Sequence, residues 1–140
     1  MCLTISSGLS GTYQSACLAR DNLDGDIRVI DTLAGSLGHG FQLIEAAKLI
    51  EEGKNLDKIV EHLKNMAKES KIFILLNTLE NIVKGGRLSK FQGSLAKVLY
   101  IKVILHGVNG KVEILEKIRG KKKFLKRSVE LIGDSKDDFS

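Results

Sequence analysis

The sequence predicts a mixed α/β fold, in which a parallel β-α-β part precedes an α+β part with an antiparallel hairpin. In the first half, two short apolar runs of strand length are each followed by a Gly/Ser loop and a helical pattern, which is typical of a parallel sheet with crossover helices. In the second half, Asn109-Gly110 separates two strand-like runs and is a strong signal for a hairpin turn. We therefore expect residues 1–70 to belong to a first α/β domain and residues 71–140 to a second, α+β domain.

Five elements are predicted in the first part, in the order strand Leu3–Ile5, helix Tyr13–Leu23, strand Ile27–Asp31, helix Leu37–Glu52 and a helix capped by Asn55. The second helix carries a wide apolar face that includes Phe41 and Ile44, and such a face predicts deep burial. Gly53 is expected to end that helix. The third helix has a narrower stripe at i, i+3, i+4, i+7 spacing, formed by Leu56, Ile59, Val60, Leu63 and Ala67.

The second part begins with Lys71–Leu76, which has little polar interruption and is therefore predicted as a strand buried on both faces. The elements expected after it are a short helix from Thr78 through Val83, a helix Phe91–Tyr100, the hairpin strands Lys102–Val108 and Lys111–Ile118, a basic helix Lys121–Ile132 and an acidic tail Asp134–Ser140.

The composition is that of an ordinary globular domain, with 43% hydrophobic and 28% charged residues, which argues against disorder. No apolar run approaches the ~18 residues that a membrane span needs, and the N-terminal residues lack the pattern of a secretory signal. Cys2 and Cys17 are too few for a disulfide framework or a metal site. We expect a cytoplasmic protein with reduced thiols and with neither a metal nor a cofactor.

The segment Ser6–Thr12, named the hydroxyl loop below, joins the first strand to the first helix and contains four hydroxyl side chains and two glycines. A strand that turns into a helix directs the unpaired N–H groups of the helix at one point, and the helix dipole favours negative charge there. The segment therefore predicts a site for a small anion, a phosphate or a carboxylate. The expected donors are the hydroxyls of Ser6, Ser7 and Ser10 and the amides of Gly11 and Thr12. An ordinary helix cap would use the same residue types, so both interpretations stay open.

Catalytic residues are not predicted. Ser7, His39 and Asp31 could be imagined as a nucleophile triad, but Ser7 lacks the Gly-x-Ser-x-Gly context of a nucleophile elbow. The Gly-Lys-Ser/Thr ending of a phosphate-binding loop is absent as well. We expect a protein that is not an enzyme; a small-anion-binding regulatory module and, less favoured, a Ser-based hydrolase are the alternatives.

Positive charge is concentrated between Lys111 and Arg127, where eight Lys or Arg residues face only Glu113 and Glu116. Such a region can contact nucleic acid, a membrane surface or an acidic protein. Single-stranded nucleic-acid binders interleave aromatic residues for base stacking, and only Phe124 is available here. Nucleic-acid binding is therefore not expected. A solvated helix face and a docking surface for a partner remain, with transient contact to a membrane surface as a further option.

Three clusters occur in one order along the chain: Ser6–Ala16 together with Val29–Thr32 and Ser36–Gly40, then Leu79–Ser89, then Ile118–Lys123. This combination resembles the DegV family of bacterial fatty-acid-binding proteins. The resemblance extends over nearly the whole chain and implies a DegV-like fold. Family members are roughly twice as long, so the chain is identified as a central fragment or a shortened member.

The resemblance also implies the ligand and its site. The protein would be a non-catalytic, lipid-binding subunit whose ligand is a long-chain fatty acid. The second serine of the Ser-Ser pair, Ser7, would bind the fatty-acid carboxylate, with Ser6 as the alternative. Arg87 would lie near the bound lipid or close its pocket, and His39 is a second candidate for the pocket.

A partner is implied in the same way. The arginine that follows the hairpin corresponds to Arg119. The resemblance implies that Arg119 contacts a fatty-acid kinase, whose catalytic subunit is similar to dihydroxyacetone kinase. The basic residues that follow are expected to share this role; they are Lys121, Lys122 and Lys123.

Overall fold

The computed structural model describes residues 1–87 and 101–134. These residues form two compact units. The first unit contains residues 1–72 together with 109–111, and the second contains the remaining described residues. The predicted mixed α/β class is confirmed, with a parallel sheet in one unit and an antiparallel sheet in the other. The proposed division into two domains near residue 70 stays a prediction.

The first unit is built on a β-α-β arrangement, as predicted. Its elements are β1 (Cys2–Thr4), α1 (Thr12–Arg20), β2 (Val29–Asp31), α2 (Ser36–Glu51) and α3 (Leu56–Glu69). Strands β1 and β2 are parallel, with Leu3 opposite Ile30. Helix α1 connects them and packs against both strands.

Helix α3 is buried along the stripe that its sequence predicts. The Asn55 side chain accepts a hydrogen bond from the Lys58 amide at 2.9 Å, which is the expected cap. Apolar side chains at helical spacing face inward, and the buried ones are Ile59, Val60, Leu63 and Ala67. Ile59, Val60 and Leu63 pack with Ile30 of β2 and Ala46 of α2 to form the core of the first unit.

Helix α2 is different, and the prediction of deep burial is wrong. Only Gln42 and Ala46 of this helix are buried, while Phe41 is 58% exposed and Ile44 is 54% exposed. The helix packs against α3, and that contact covers one side of it. Helical periodicity groups apolar side chains on one face, but burial also requires a surface large enough to cover that face.

Gly53 ends α2, as predicted. It has a positive φ of 70°, a conformation that glycine adopts without strain. The Gly53 amide donates to the Ile50 carbonyl at 2.9 Å, and the Lys54 amide donates to the Leu49 carbonyl at 3.0 Å. These two bonds are those of a Schellman motif.

The second unit contains an antiparallel sheet with strand order β3-β4-β5. Its elements are β3 (Phe73–Leu76), α4 (Glu80–Lys84), β4 (Ile101–Val108), β5 (Lys111–Arg119) and α5 (Lys121–Asp134). The prediction that the first of these strands is buried on both faces is wrong, because Leu75 is 44% exposed. In the described sheet β3 lies at an edge, and an antiparallel sheet can leave one face in solvent.

The predicted hairpin joins β4 and β5. Both turn residues have positive φ, 49° at Asn109 and 75° at Gly110, as a type I′ turn requires. Helix α5 follows the hairpin, and its inward side chains complete an apolar cluster. The buried members of that cluster are Ile104, Ile118, Phe124 and Leu131.

The short helix near Thr78 is also present. The Thr78 hydroxyl accepts a hydrogen bond from the Glu80 amide at 3.3 Å, where α4 begins. The predicted helix Phe91–Tyr100 lies outside the described residues, and so does the predicted acidic tail from residue 135 onward.

Residues 1–87 and 101–134 contain neither a helix suited to span a membrane nor a cluster of metal ligands. No helix in these ranges combines the length and the apolar character that crossing a membrane requires. No group of three or more His, Cys, Asp or Glu side chains in the same ranges is arranged to hold a metal ion.

Candidate functional site

The hydroxyl loop connects β1 to α1 and lies beside the loop that follows β2, residues 32–35. The carboxyl ends of parallel strands meet at one edge of a sheet, which brings the two loops together. The Ser6 amide donates to the Ala34 carbonyl at 2.8 Å, and the Thr32 amide donates to the Thr4 carbonyl at 3.2 Å. The backbone therefore fixes the two loops to each other.

Ser6 is fully buried, and its hydroxyl is used inside the protein. The hydroxyl donates a short hydrogen bond to the Gly110 carbonyl and accepts one from the Gly8 amide at 3.1 Å. The Ser6 carbonyl accepts from the amides of Leu9 and Ser10 at 3.0 and 3.1 Å. Since a serine hydroxyl has a single proton, Ser6 has no further donor for a ligand.

Ser7 is half-buried, and its hydrogen bonds differ from those of Ser6. Its amide donates to both carboxylate oxygens of Asp31, each at 3.2 Å. Asp31 also accepts the Leu33 amide at 2.9 Å, so this carboxylate holds the two loops together. Within the part of the chain that the structure describes, the Ser7 hydroxyl has no hydrogen-bond partner.

The other predicted donors lie at the start of α1. The Ser10 and Thr12 hydroxyls are 2.7 Å apart and share one hydrogen bond, which leaves one of their two protons available. The Thr12 amide donates to the Ser10 hydroxyl at 3.3 Å. Gly11 is the N-cap residue, and no side chain caps the helix at this position. Apart from the Thr12 amide, the amides at the start of α1 have no partner among the described residues and are open to an anion.

His39 lies at the start of α2 and contacts the Thr32 hydroxyl, with 3.2 Å between Nδ1 and Oγ1. The Thr32 hydroxyl donates its proton to the Thr4 carbonyl at 2.8 Å. A neutral His39 therefore carries its proton on Nδ1 and presents Nε2 as an acceptor. No hydrogen bond among the described residues joins His39 to Ser7 or Asp31, so the triad is not assembled.

A cleft of about 460 Å³ lies between α1, β2 and α3. Its lining combines apolar side chains with four cations, which are Arg20, Arg28, Lys64 and Lys68. The cleft includes Asp31 and Leu33 but not Ser7. Tyr13 also lines it, and a hydrogen bond with Cys17, followed by burial, raises the pKa of that phenol. The candidate site is the hydroxyl loop, because the half-buried Ser7 hydroxyl, which has no partner among the described residues, lies there.

The other predicted site residues belong to the second unit. Arg87 is exposed, and its guanidinium donates to the nearby Gly85 carbonyl. Arg119 ends β5 and is exposed. The three lysines that begin α5 are exposed as well: Lys121, Lys122 and Lys123. These four exposed cations, Arg119 and the three lysines, are named the basic segment below.

Sequence reasoning missed two residues that hold the site in place. Asp31 was considered only as a triad member, although an aspartate after a strand commonly accepts the amide two residues later; here that amide belongs to Leu33. Gly110 was recognised only as a turn residue. Its contact with Ser6 joins positions 104 residues apart, and no local pattern carries that information.

Gln42 was also missed, and it is fully buried in α2. Its side-chain amide donates to the Thr32 carbonyl at 2.9 Å, which anchors the helix to the loop after β2. The only sequence signal was a polar residue between two apolar ones, Phe41 and Leu43.

Comparison with known proteins identifies relatives along the whole chain. The model of the DegV family, described as an uncharacterised protein family, matches residues 1–140. A DegV domain-containing protein from Clostridium acetobutylicum is 39% identical over 135 residues, which cover 96% of this chain and 48% of that protein. The chain spans about half the length of the curated relatives it matches.

Solved structures agree with this result. A fatty-acid-binding DegV family protein from Thermus thermophilus is 34% identical with a TM-score of 0.84, over 95% of this chain and 48% of the other. A DegV family protein from Eubacterium eligens, loaded with heptadecanoic acid, is 34% identical with a TM-score of 0.81, over 95% of this chain and 50% of the other. On the strength of the family match over its whole length, this chain belongs to the DegV family.

Proposed function

We propose that this chain contributes the carboxylate-anchoring part of a fatty-acid site and acts without catalysing a reaction. The observation that carries the proposal is the Ser7 hydroxyl, which has no partner within the described residues and lies in the loop before the uncapped N-terminus of α1. The similar proteins from Thermus thermophilus and Eubacterium eligens, which bind fatty acids, support the choice of ligand.

The chemistry of the loop suits one negative charge. An unpaired carboxylate that leaves water loses several kcal/mol, so its site must supply several donors. Among the described residues, the internal hydrogen bonds leave several donors free, including the Ser7 hydroxyl, the Gly11 amide and the remaining proton of the Ser10–Thr12 pair. Asp31 occupies the Ser7 amide and would repel a second carboxylate. The ligand would therefore bind on the hydroxyl side of Ser7.

The proposed partner is an ATP-dependent fatty-acid kinase in the cytoplasm, to which the bound carboxylate would be presented. The basic segment supports this part of the proposal because its four cations are exposed. Arg119 is the strongest candidate among them, since a guanidinium can hold a carboxylate of the partner in a bidentate pair. Arg87 and His39 are proposed to lie near the lipid.

Ser7→Ala tests the proposed anchor in the complete gene product that contains these residues. We expect a ten- to a hundredfold loss of affinity for palmitic acid, because a hydrogen bond to a charged group contributes about 1.5–3 kcal/mol. Stability should not change, since the Ser7 hydroxyl makes no bond within the described residues of the unliganded protein. Isothermal titration calorimetry measures the affinity, and urea denaturation measures the stability.

Ser15→Ala is the matched control, because Ser15 is exposed on α1 outside the loop. Wild-type affinity in Ser7→Ala would move the anchor to another residue. Native mass spectrometry tests the ligand itself. If the complete protein purified from bacteria carries no mass of a long-chain fatty acid and binds none when it is added, the proposed function is wrong.

A further inference from the structure

Gly110 is a turn residue that is buried, although its neighbours Asn109 and Lys111 are exposed. The tip of a hairpin is normally the most solvated part of it. Here residues 109–111 group with the first unit, and Gly110 lies against the hydroxyl loop. A buried turn tip indicates that the turn does more than reverse the chain.

The contact between the turn and the loop leaves no space for a side chain on either partner. A Cβ atom on Gly8 would lie 2.5 Å from the Gly110 oxygen, and a Cβ atom on Gly110 would lie 2.5 Å from the Ser6 hydroxyl. Real Cβ atoms do not approach other atoms so closely. Glycine is therefore required at both positions, and at Gly110 also because φ is 75°.

The hydrogen bond across this contact gives the hydroxyls of Ser6 and Ser7 different roles. The Gly110 carbonyl accepts the only proton of the Ser6 hydroxyl. Ser6 therefore holds the loop in place and has no hydroxyl proton for a ligand. The Ser6 hydroxyl in turn accepts the Gly8 amide, which fixes the backbone directly after Ser7. Of the two serines, Ser7 is the one whose hydroxyl proton has no acceptor among the described residues.

We propose that Gly110 is a positioning residue of the carboxylate site, which acts through Ser6 and thereby makes Ser7 the serine that binds the ligand. This inference rests on the proposed function and deepens it. It assigns the hairpin turn a part in selecting carboxylates over uncharged head groups. A shift of the loop by a few tenths of an ångström would misalign the Ser7 hydroxyl and the nearby amides, while an alkyl chain, which needs no directional bonds, would be affected less.

The test compares palmitic acid with hexadecanol, which has the same chain without the charge, in the complete gene product. Gly110→Ala should lower the affinity for palmitic acid about tenfold or more, the loss of one good charged hydrogen bond, and should change the affinity for hexadecanol much less. Gly53→Ala is the matched control. Gly53 has nearly the same φ, 70°, but no atom within 4 Å of an added Cβ, so it reproduces the backbone strain without the contact.

Ser6→Ala supplies the second arm and does not add a side chain to the turn. If Gly110 acts through Ser6, Ser6→Ala alone should lower the selectivity for the acid, and Gly110→Ala should lower it little further in that background. Equal losses for the acid and the alcohol would show a purely structural role and overturn the inference. Additive losses from the two substitutions would overturn it as well.

Failure of the inference and failure of the proposed function can be told apart. If Ser7→Ala lowers the affinity for palmitic acid and Gly110→Ala leaves the acid-to-alcohol ratio unchanged, only the role of Gly110 is wrong. If the wild-type protein shows no preference for the acid and Ser7→Ala has no effect, the carboxylate site is wrong and the role of Gly110 falls with it.

Discussion

The hydroxyl loop and the basic segment are the two regions for which the sequence predicts binding, and the structure gives them opposite character. In the loop, Ser6 is fully buried and tied to Gly110 and Gly8, and Asp31 holds the Ser7 amide. In the basic segment, Arg119 and the three lysines are exposed. One region is defined by hydrogen-bond geometry and the other by charge in solvent.

This difference decides what a substitution in each region should change. A buried hydrogen bond that loses one partner leaves the other partner desolvated, at about 1–3 kcal/mol. An exposed charge contributes little to stability and acts mainly on the rate of association, where salt screens it. Loop substitutions should therefore be sensitive to atomic detail, and substitutions in the basic segment should be sensitive to ionic strength.

The largest effect on stability is expected for Ser6→Ala. The substitution leaves the Gly8 amide and the Gly110 carbonyl without their hydroxyl partner, and the unfolding free energy should fall by about 1–3 kcal/mol. Urea denaturation measures the change. Ser7→Ala is the natural control, because it removes a neighbouring hydroxyl that has no partner within the described residues. A larger loss of stability in Ser7→Ala than in Ser6→Ala would contradict the assignment of Ser6 as a structural residue and Ser7 as the carboxylate anchor.

A smaller effect, confined to association, is expected for Arg119→Ala. Fatty-acid affinity should stay unchanged, while phosphorylation of the bound fatty acid by the proposed kinase partner should slow at low salt. The difference from wild type should shrink as the screening length falls from about 10 Å at 0.1 M salt to about 3 Å at 1 M. Stopped-flow association and kinase turnover, each measured across a salt series, give the result.

Arg20→Ala is the control for Arg119→Ala, since Arg20 lies on α1 outside the basic segment and pairs with Asp21 at 2.7 Å. Loss of bound lipid in Arg119→Ala, with normal turnover of the lipid that remains, would show that Arg119 contacts the ligand. The docking role of the basic segment would then be wrong.

The fold was predictable where a local pattern carries the physics. Asn109-Gly110 predicted a hairpin turn, because few dipeptides accept the two positive φ angles that the structure shows there. The stripe on α3 predicted its buried face because the opposite face is charged. The same reasoning failed for α2, where Phe41 is exposed. A wide apolar face does not indicate which part of it has a neighbour, and the neighbour is a property of the tertiary structure.

The candidate site shows the same limit. The residue types of the hydroxyl loop predicted donors near the start of α1. Ser6 and Ser7, however, are the same residue type, so residue type alone does not distinguish their roles. What separates them is the Gly110 carbonyl, 104 positions away. Ser7 as the anchor and the basic segment as a docking surface stay predictions until they are measured.

The smallest effect is expected for Ser10→Ala. This substitution tests whether the burial of a side chain or its position in the hydroxyl loop decides the size of the effect. Ser10 belongs to the hydroxyl loop, yet its bond with Thr12 is solvent-exposed like the side chains of the basic segment. If burial decides the outcome, the unfolding free energy should change by less than about 0.5 kcal/mol, as for ordinary surface substitutions. Affinity for palmitic acid should fall only a few fold, because Thr12 keeps its own hydroxyl and the Thr12 amide becomes free to bind the ligand. Calorimetry on Ser10→Ala and on Ser10→Ala/Thr12→Val measures both contributions. A loss in Ser10→Ala as large as that in Ser7→Ala would place the carboxylate on the Ser10–Thr12 pair, and the exposed end of the loop would then be the anchor.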